Sequence, residues 1–314
     1  MTTVASTDAE STAGRPAVPG RRRVVPRRRQ RVRPARMVLH AFLMFFAFLW
    51  LLPILLLIYA SLRPYQETQL NGYFSWPKTL SLRYYSQAWT GGEMSKHFLA
   101  SLYITVPAVL ATLFLASFLA FALTRVKIPF RRTLLVLFTA GNLLPPQIMV
   151  TPLYTLYFKI PLPEWLSASR SVYDTYFGVI LIHVAFQTGF CVFVLYNYML
   201  TIPIELTEAS VVDGANVWRQ YWQVILPVVR PALGALATLE FTWIYNDFLW
   251  ALVLMSTGDK YPITSSLNNL RGQFFVDYNL LAAGAMIVAL PTLIVFFALQ
   301  KQFISGLTLG ASKG

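Results

Sequence analysis

Two carboxylates stand inside a stretch that is otherwise fit for lipid: Glu240 and Asp247, seven residues apart, with Trp243 and Asn246 close by. On one unbroken helix that spacing places them on a common face. A carboxylate at the centre of a membrane costs roughly 2.5–3.5 kcal/mol on insertion scales, so such groups face a cavity or a partner. One chemistry for this face is passage of a polar solute, with carboxylate and amide groups standing in for its lost water and the Trp243 ring offering a surface to stack on. The other is hydrogen bonding from helix to helix within a bundle. The residues by themselves leave both open. Asn142 and Gln147 flank Pro145-Pro146, with Pro152 beyond. Those prolines free backbone carbonyls and bend a helix, and a bend beside a polar pair can open a site at midplane. His183 and Gln187 are spaced i, i+4 without acids or further histidines nearby in sequence. That argues for packing or hydrogen bonding rather than a metal or ligand contact.

A mechanical chemistry is carried by residues 201–231, the one long amphipathic insert between strongly apolar segments. Thr207 is placed as an N-cap, and Glu208 sits where a helix N-terminus favours negative charge. Leu206, Ala209 and Val212 recur three apart, one helix face, until Gly214 interrupts. A second pattern puts Val217, Trp218, Tyr221, Trp222 and Ile225 on one side, and Pro227 and Pro231 are read as its stops. Two short helices broken at a glycine between two membrane spans make a compact knob, suited to docking into another protein.

Within that knob, Glu208-Ala209-Ser210, three residues, Gly214, nine residues, Val224, one residue and Leu226-Pro227 resemble the EAA loop of ATP-binding-cassette importer permeases. Ser210 stands where that family has alanine, and Val224 where it usually has isoleucine. Asp213-Gly214-Ala215 and Pro231 also resemble the carbohydrate-uptake, maltose-type branch, as do Asn246-Asp247-Phe248-Leu249-Trp250 and the ending Gly306-Leu307-Thr308-Leu309-Gly310-Ala311-Ser312-Lys313-Gly314. The resemblance covers roughly residues 98–314. It implies that Glu208, Ala209, Ser210, Asp213, Gly214, Leu226 and Pro227 belong to a coupling helix seated in a cleft of a separate ATPase.

Composition fits a membrane protein before any motif is invoked. Hydrophobic residues make up 56% of the 314, charged residues 12%, and mean hydropathy is +0.54, against roughly 25% charged residues in soluble domains. The single Cys191 excludes a disulfide framework and falls within an apolar run, where it packs as a small hydrophobe. Residues 1–36 hold ten arginines against Asp8 and Glu10, a net charge of +8 within a chain total of +13, and four prolines. Such a tail is expected to be disordered and to face lipid headgroups from the cytoplasm. It carries no interleaved aromatics and no nucleic-acid fold follows, so nucleic acid is not an expected partner. Arg21-Arg22-Arg23 could suggest an export signal, but the apolar run after it is too long and no small-residue cleavage site closes it.

The elements that must position all of this are six apolar runs at about 37–62, 98–123, 133–158, 178–200, 232–256 and 280–303. Each exceeds the roughly 20 residues a span requires, and in lipid such runs must be helical to satisfy their own backbones. The expected fold is therefore an all-α membrane protein with six transmembrane helices, of the type I importer-permease kind by resemblance. The organisation is a basic tail 1–36, a first span 37–62, an outer loop 63–97, a permease core 98–303 containing the loop 201–231, and a C-terminal tail 304–314. Arg125, Lys127, Arg131 and Arg132 crowd the connection between the second and third runs with no acid beside them, which places that loop and both termini in the cytoplasm. The outer loop 63–97 is rich in tyrosine and tryptophan, interface anchors or a surface that meets an external protein.

No G-x-x-x-x-G-K-[ST] phosphate loop occurs, and neither does a nucleophile elbow or a zinc signature. The chain itself is thus expected to be a transport subunit rather than an enzyme and to carry no cofactor. The resemblance implies one half of a permease pair with a second homologous permease. Two ATPase subunits would bind ATP and Mg, and an extracytoplasmic sugar-binding protein or lipoprotein would complete an importer in a bacterial cytoplasmic membrane. Two other readings compete: an ion-coupled carrier using Glu240 and Asp247, and a membrane-anchored scaffold using the basic tail.

Overall fold

The structure, a computed structural model, describes the backbone of residues 34–272 and 275–311, and the side chains of 36–272 and 275–303. The basic tail falls almost wholly outside the described residues. The chain divides into two compact units, Met1–Leu51 and Leu52–Gly314. In the first, residues 36–51 of helix α1 (Pro34–Ser61) carry exposed side chains throughout.

The second unit is a helical bundle, with no strand among its described residues. In order it contains the rest of α1, the short α2 (Tyr65–Asn71) and α3 (Arg83–Gly91), α4 (Met94–Arg125), α5 (Arg131–Gly141), α6 (Pro146–Lys159) and α7 (Tyr176–Met199). Then come α8 (Glu205–Val212), α9 (Val217–Arg219), a π turn (Gln220–Ile225), α10 (Leu226–Val228), α11 (Arg230–Tyr245), α12 (Leu249–Leu254), α13 (Ile263–Ser266) and α14 (Tyr278–Ala311). Among the described residues four helices are long and apolar enough to cross a membrane, or up to six spans if each of two bent pairs counts as one.

The inner faces explain how these helices approach one another. On α4 the buried residues are mostly small (Ala100, Ser101, Ala108, Thr112, Ala116, Ser117, Ala120), while Leu99, Tyr103, Val106, Leu110 and Phe114 are exposed. That is the membrane pattern, in which small residues let backbones close up and large apolar ones meet lipid. Helix α4 packs on α7, and α11 packs on both α4 and α14. Gly189 of α7 lies against α5 so closely that a Cβ would overlap the Phe138 carbonyl.

The third and fifth runs are not single helices. α5 and α6 meet at 93° across Asn142–Pro145, the bend that the prolines there predict. The fifth run breaks at Asn246–Phe248, where no proline or glycine stands, and α12 resumes at Leu249. The sixth runs on as helix to Ala311, through the segment read from sequence as a tail.

On the side opposite the α8–α10 segment, Arg63 is 1% exposed. It donates to the carbonyls of Gly72 and Tyr73, to Ser75 Oγ and to Glu67. Asn279 Nδ2 bonds Ala60 O, Arg63 O and Thr68 Oγ1, tying the start of α14 to the same turn.

Candidate functional site

The segment between α7 and α11 folds as two short helices about Gly214, as its sequence implies, but its boundaries differ. Helix α8 begins at Glu205, because Ile204 is already helical after Pro203 (φ −67°, ψ −26°). Thr207 is therefore no cap: it lies inside the helix, buried, with its Oγ1 unpaired among the described residues. The capping side chain stands at the next helix, where Asn216 Oδ1 accepts the Arg219 N–H at 2.9 Å.

Proline 227 is not a stop either. It lacks an N–H, so the regular ladder cannot pass through it. The chain answers with a π turn over Gln220–Ile225, in which the Leu226 N–H bonds Tyr221 O, and helix continues to Val228. The break falls at Val229. Pro231 then sits in the first turn of α11, where a missing N–H is harmless, and the axis bends by 73°. Gly214 has φ +78°, a backbone conformation that only glycine adopts freely.

The polarity of α8 is inverted. Its buried residues are Thr207 and Ser210, whereas Leu206, Val211 and Val212 are exposed, Val212 to 87%. The apolar face seen in the sequence looks outward, with Glu205, Glu208, Ala209 and Asp213 also exposed. Ser210 bonds Thr207 O through its hydroxyl, and Ala215 N bonds Ser210 O, closing the turn at Gly214. Gln220 Nε2 reaches Ala215 O and braces the second helix against the first. Leu226 packs half-buried against the cluster formed by α4, α7 and the π turn, and Pro227 is exposed.

The intramembrane polar residues are arranged otherwise than their spacing suggests. Because α11 ends at Tyr245, Glu240 and Asp247 do not share a helix face. Glu240 is fully buried, and Cys191 Sγ of α7 donates to its Oε1 at 3.1 Å. Asp247 sits in the break, where its Oδ2 accepts the Trp250 N–H at 3.0 Å and so caps α12. The Thr264 hydroxyl bonds the Asp247 carbonyl.

His183 Nε2 comes within 3.7 Å of Asp247 Oδ2. An acid does lie near that histidine, contributed by the break between α11 and α12 rather than by its own neighbourhood in sequence. The void beside them, with Ser101 and Thr105, is about 10 Å³, at the lower limit for a single water. No cluster of three metal-ligating acids, histidines or cysteines exists among the described residues.

The remaining polar positions do not converge. Asn142 turns toward α7 at Gly189, its Nδ2 buried and unpaired among the described residues, while Gln147 across the bend is exposed. Gln187 is half-buried on α7. Trp243 is 45% exposed and meets Phe190 edge-on, ring centroids 5.2 Å apart. Asn246 bonds Thr242 O on its own helix and reaches Thr292 of α14 at 3.4 Å.

Tyr221 was legible only as one of a row of aromatics. It is 1% exposed, and its hydroxyl lies 2.8 Å from Ser117 Oγ on α4. Arg125 was legible only as a cytoplasmic charge. Its Nη2 donates to the carbonyls of Met199 and Ile202 at 2.8 and 2.9 Å.

Residues 112–308 match the family described as the binding-protein-dependent transport system inner membrane component, and the chain belongs to that family. It is a membrane-embedded permease component, and neither competing reading accounts for that match. Among its relatives, the arabinooligosaccharides transport system permease AraQ of Bacillus subtilis is 30% identical, the match covering 83% of this chain and 90% of that one. The osmoprotective compounds uptake permease GgtD of Synechocystis is 34% identical over 83% of this chain and 87% of its own. A chain in the crystal structure of a bacterial ABC transporter that imports the acidic polysaccharide alginate shares the fold, with a TM-score of 0.72 at 20% identity, over 87% of this chain and 98% of that one.

Proposed function

We propose that this chain forms one half of the translocation pathway of an ATP-driven importer for a sugar or oligosaccharide, and that α8 with its Gly214 turn docks into an ATPase subunit. The observation that carries the docking role is the inverted polarity of α8. Leucine and valine are displayed outward while Thr207 and Ser210 face in. Exposed apolar residues rimmed by carboxylates make a surface fit for a protein partner. The family description, which names binding-protein-dependent transport, supports an extracytoplasmic delivery protein. The arabinooligosaccharide and alginate relatives support a carbohydrate cargo.

On this reading the chain crosses a bacterial cytoplasmic membrane six times with both termini and α8 on the cytoplasmic side, an orientation that the cluster Arg125, Lys127, Arg131 and Arg132 supports. A second permease subunit completes the pathway and two ATPases, holding ATP and Mg, supply the stroke. Nucleotide closure draws the coupling segments together, and the bent spans rock between inward- and outward-open forms. Asn142, Gln147, Gln187, Glu240, Trp243, Asn246 and Asp247 are assigned to the pathway or its walls. Glu240 and Asp247 serve the walls, given their partners.

Gly214→Asp tests the coupling role. Nothing lies within 4 Å of a Cβ at this position, and aspartate tolerates a left-handed backbone better than most residues. The variant is expected to insert and fold, while its complex hydrolyses ATP without moving sugar. Wild-type rates of ATP-driven uptake in that variant would remove the coupling role from this segment.

A further inference from the structure

We infer that α4 is the rod that the coupling segment drives, tied to it at two heights, by Tyr221 on Ser117 and by its own Arg125 on the end of α7; this rests on the importer reading above. Tyr221 follows the Gly214 turn and Ile202 precedes α8, so the two grips bracket the docking knob along the chain. At the first, Ser117 Oγ donates to Phe114 O, which leaves it to accept the Tyr221 hydroxyl at 2.8 Å. The Tyr221 ring is wedged among Phe118 and Phe121 of α4, with centroids at 5.6 and 5.4 Å, and Trp218 and Trp222 of its own helix. At the second, Arg125 ends α4 and its guanidinium bonds Met199 O and Ile202 O. These carbonyls lie at and just beyond the C-terminus of α7, where helix acceptors go unsatisfied and a cation is favoured.

Ser117 and Arg125 are eight residues apart, about 12 Å along a helix axis. One attachment would act as a pivot, and α4 could stay behind while the knob turned. Two attachments separated by that lever arm force α4 to tilt with it. Arg125 and Tyr221 are thus positioning residues. They touch no solute, and they decide whether motion at α8 becomes motion of a span.

The test uses the complete complex, with its partner permease, ATPases and binding protein, in proteoliposomes. Tyr221→Phe, which removes one hydroxyl and no ring, and Arg125→Gln are compared with Arg125→Lys. Thr155→Val serves as a control, removing an exposed hydroxyl that bonds its own helix. Each of the first two is expected to lower sugar moved per ATP hydrolysed by about fivefold, the weight of one net hydrogen bond, with hydrolysis itself retained. Arg125→Lys should recover part of the loss. Wild-type ratios in both Tyr221→Phe and Arg125→Gln would overturn the inference.

A second measurement needs neither variant to assemble. Spin labels at Lys127→Cys and Thr201→Cys, beside the Arg125 grip, should keep one separation with and without nucleotide. A nucleotide-dependent change there would overturn the inference. Absence of any ATP-driven uptake by the wild-type complex would instead sink the importer reading, a distinguishable failure.

Discussion

Cys191 of α7 and Glu240 of α11 meet at 3.1 Å, thiol to carboxyl oxygen, in a pocket of the bundle from which solvent is excluded. This contact ties the acid of α11 to α7. Glu240→Gln keeps an acceptor for the thiol and should leave thermal stability in detergent nearly unchanged. Glu240→Ala opens a void and strips the thiol of its partner, at a cost of about 2 kcal/mol, read as a lower melting temperature. The KM for sugar should hold in both. A KM that rises several-fold with unchanged melting would return Glu240 to the solute route.

Asp247 tells a similar story through a different bond. Its carboxylate caps α12 by accepting the Trp250 N–H. Asp247→Asn preserves an oxygen for that bond, whereas Asp247→Ala removes it at a cost of about 1 kcal/mol, as for other helix caps. Hydrogen exchange at the Trp250 amide should therefore quicken several-fold in the alanine variant alone. Equal protection in both variants would mean that the cap contributes nothing.

Gly189 lets α7 approach α5 closely. Gly189→Ala drives a methyl into the Phe138 carbonyl, and overpacking of this kind costs typically 1–3 kcal/mol. Gly141→Ala, at the end of α5, meets nothing within 4 Å and should be neutral or slightly stabilising. The yield of folded protein should fall for Gly189→Ala only.

Asp174, just before the start of α7 and so at the far end of that helix from α8, provides a pH-dependent staple. Burial pushes its acidity the other way, but bonds from the Thr257 hydroxyl, the Ser256 and Thr257 N–H groups and the Lys260 ammonium prevail and hold the pKa at about 2, below the ordinary 3.8. Since the folded value is the lower one, the staple contributes fully above about pH 4 and is lost as pH falls through about 2. Exchange at the Ser256 and Thr257 amides should stay slow from neutral pH down to about 4. Asp174→Asn should weaken that protection throughout the range from neutral pH to about 4, and the staple is not electrostatic if it does not.

Much of this architecture was written in the residue pattern. The apolar runs fixed where helices must be, because lipid offers the backbone no other partner. Pro145-Pro146 announced the bend between α5 and α6, and Gly214 announced the turn in the knob. Thr207 before Glu208 resembles a helix start, yet the chain has already turned helical at Ile204 after Pro203. Pro227 resembles a stop in the same way. A proline can be absorbed by a π turn when tertiary packing holds the helix, and Tyr221 and Ile225 of that turn are buried against α4 and α7.

The class of protein, the positions of its apolar helices and the glycine-hinged segment between α7 and α11 were legible in the residue order, since each of these follows from local composition and short-range spacing. Tertiary structure alone decided what the charged and polar side chains do. Glu240 and Cys191 lie 49 positions apart, Tyr221 and Ser117 lie 104 apart, and Arg125 reaches carbonyls 74 and 77 residues away. No periodicity encodes such pairs. Only the packing of small-residue faces brings them within bonding distance, and it gives these charged and polar side chains partners on other helices.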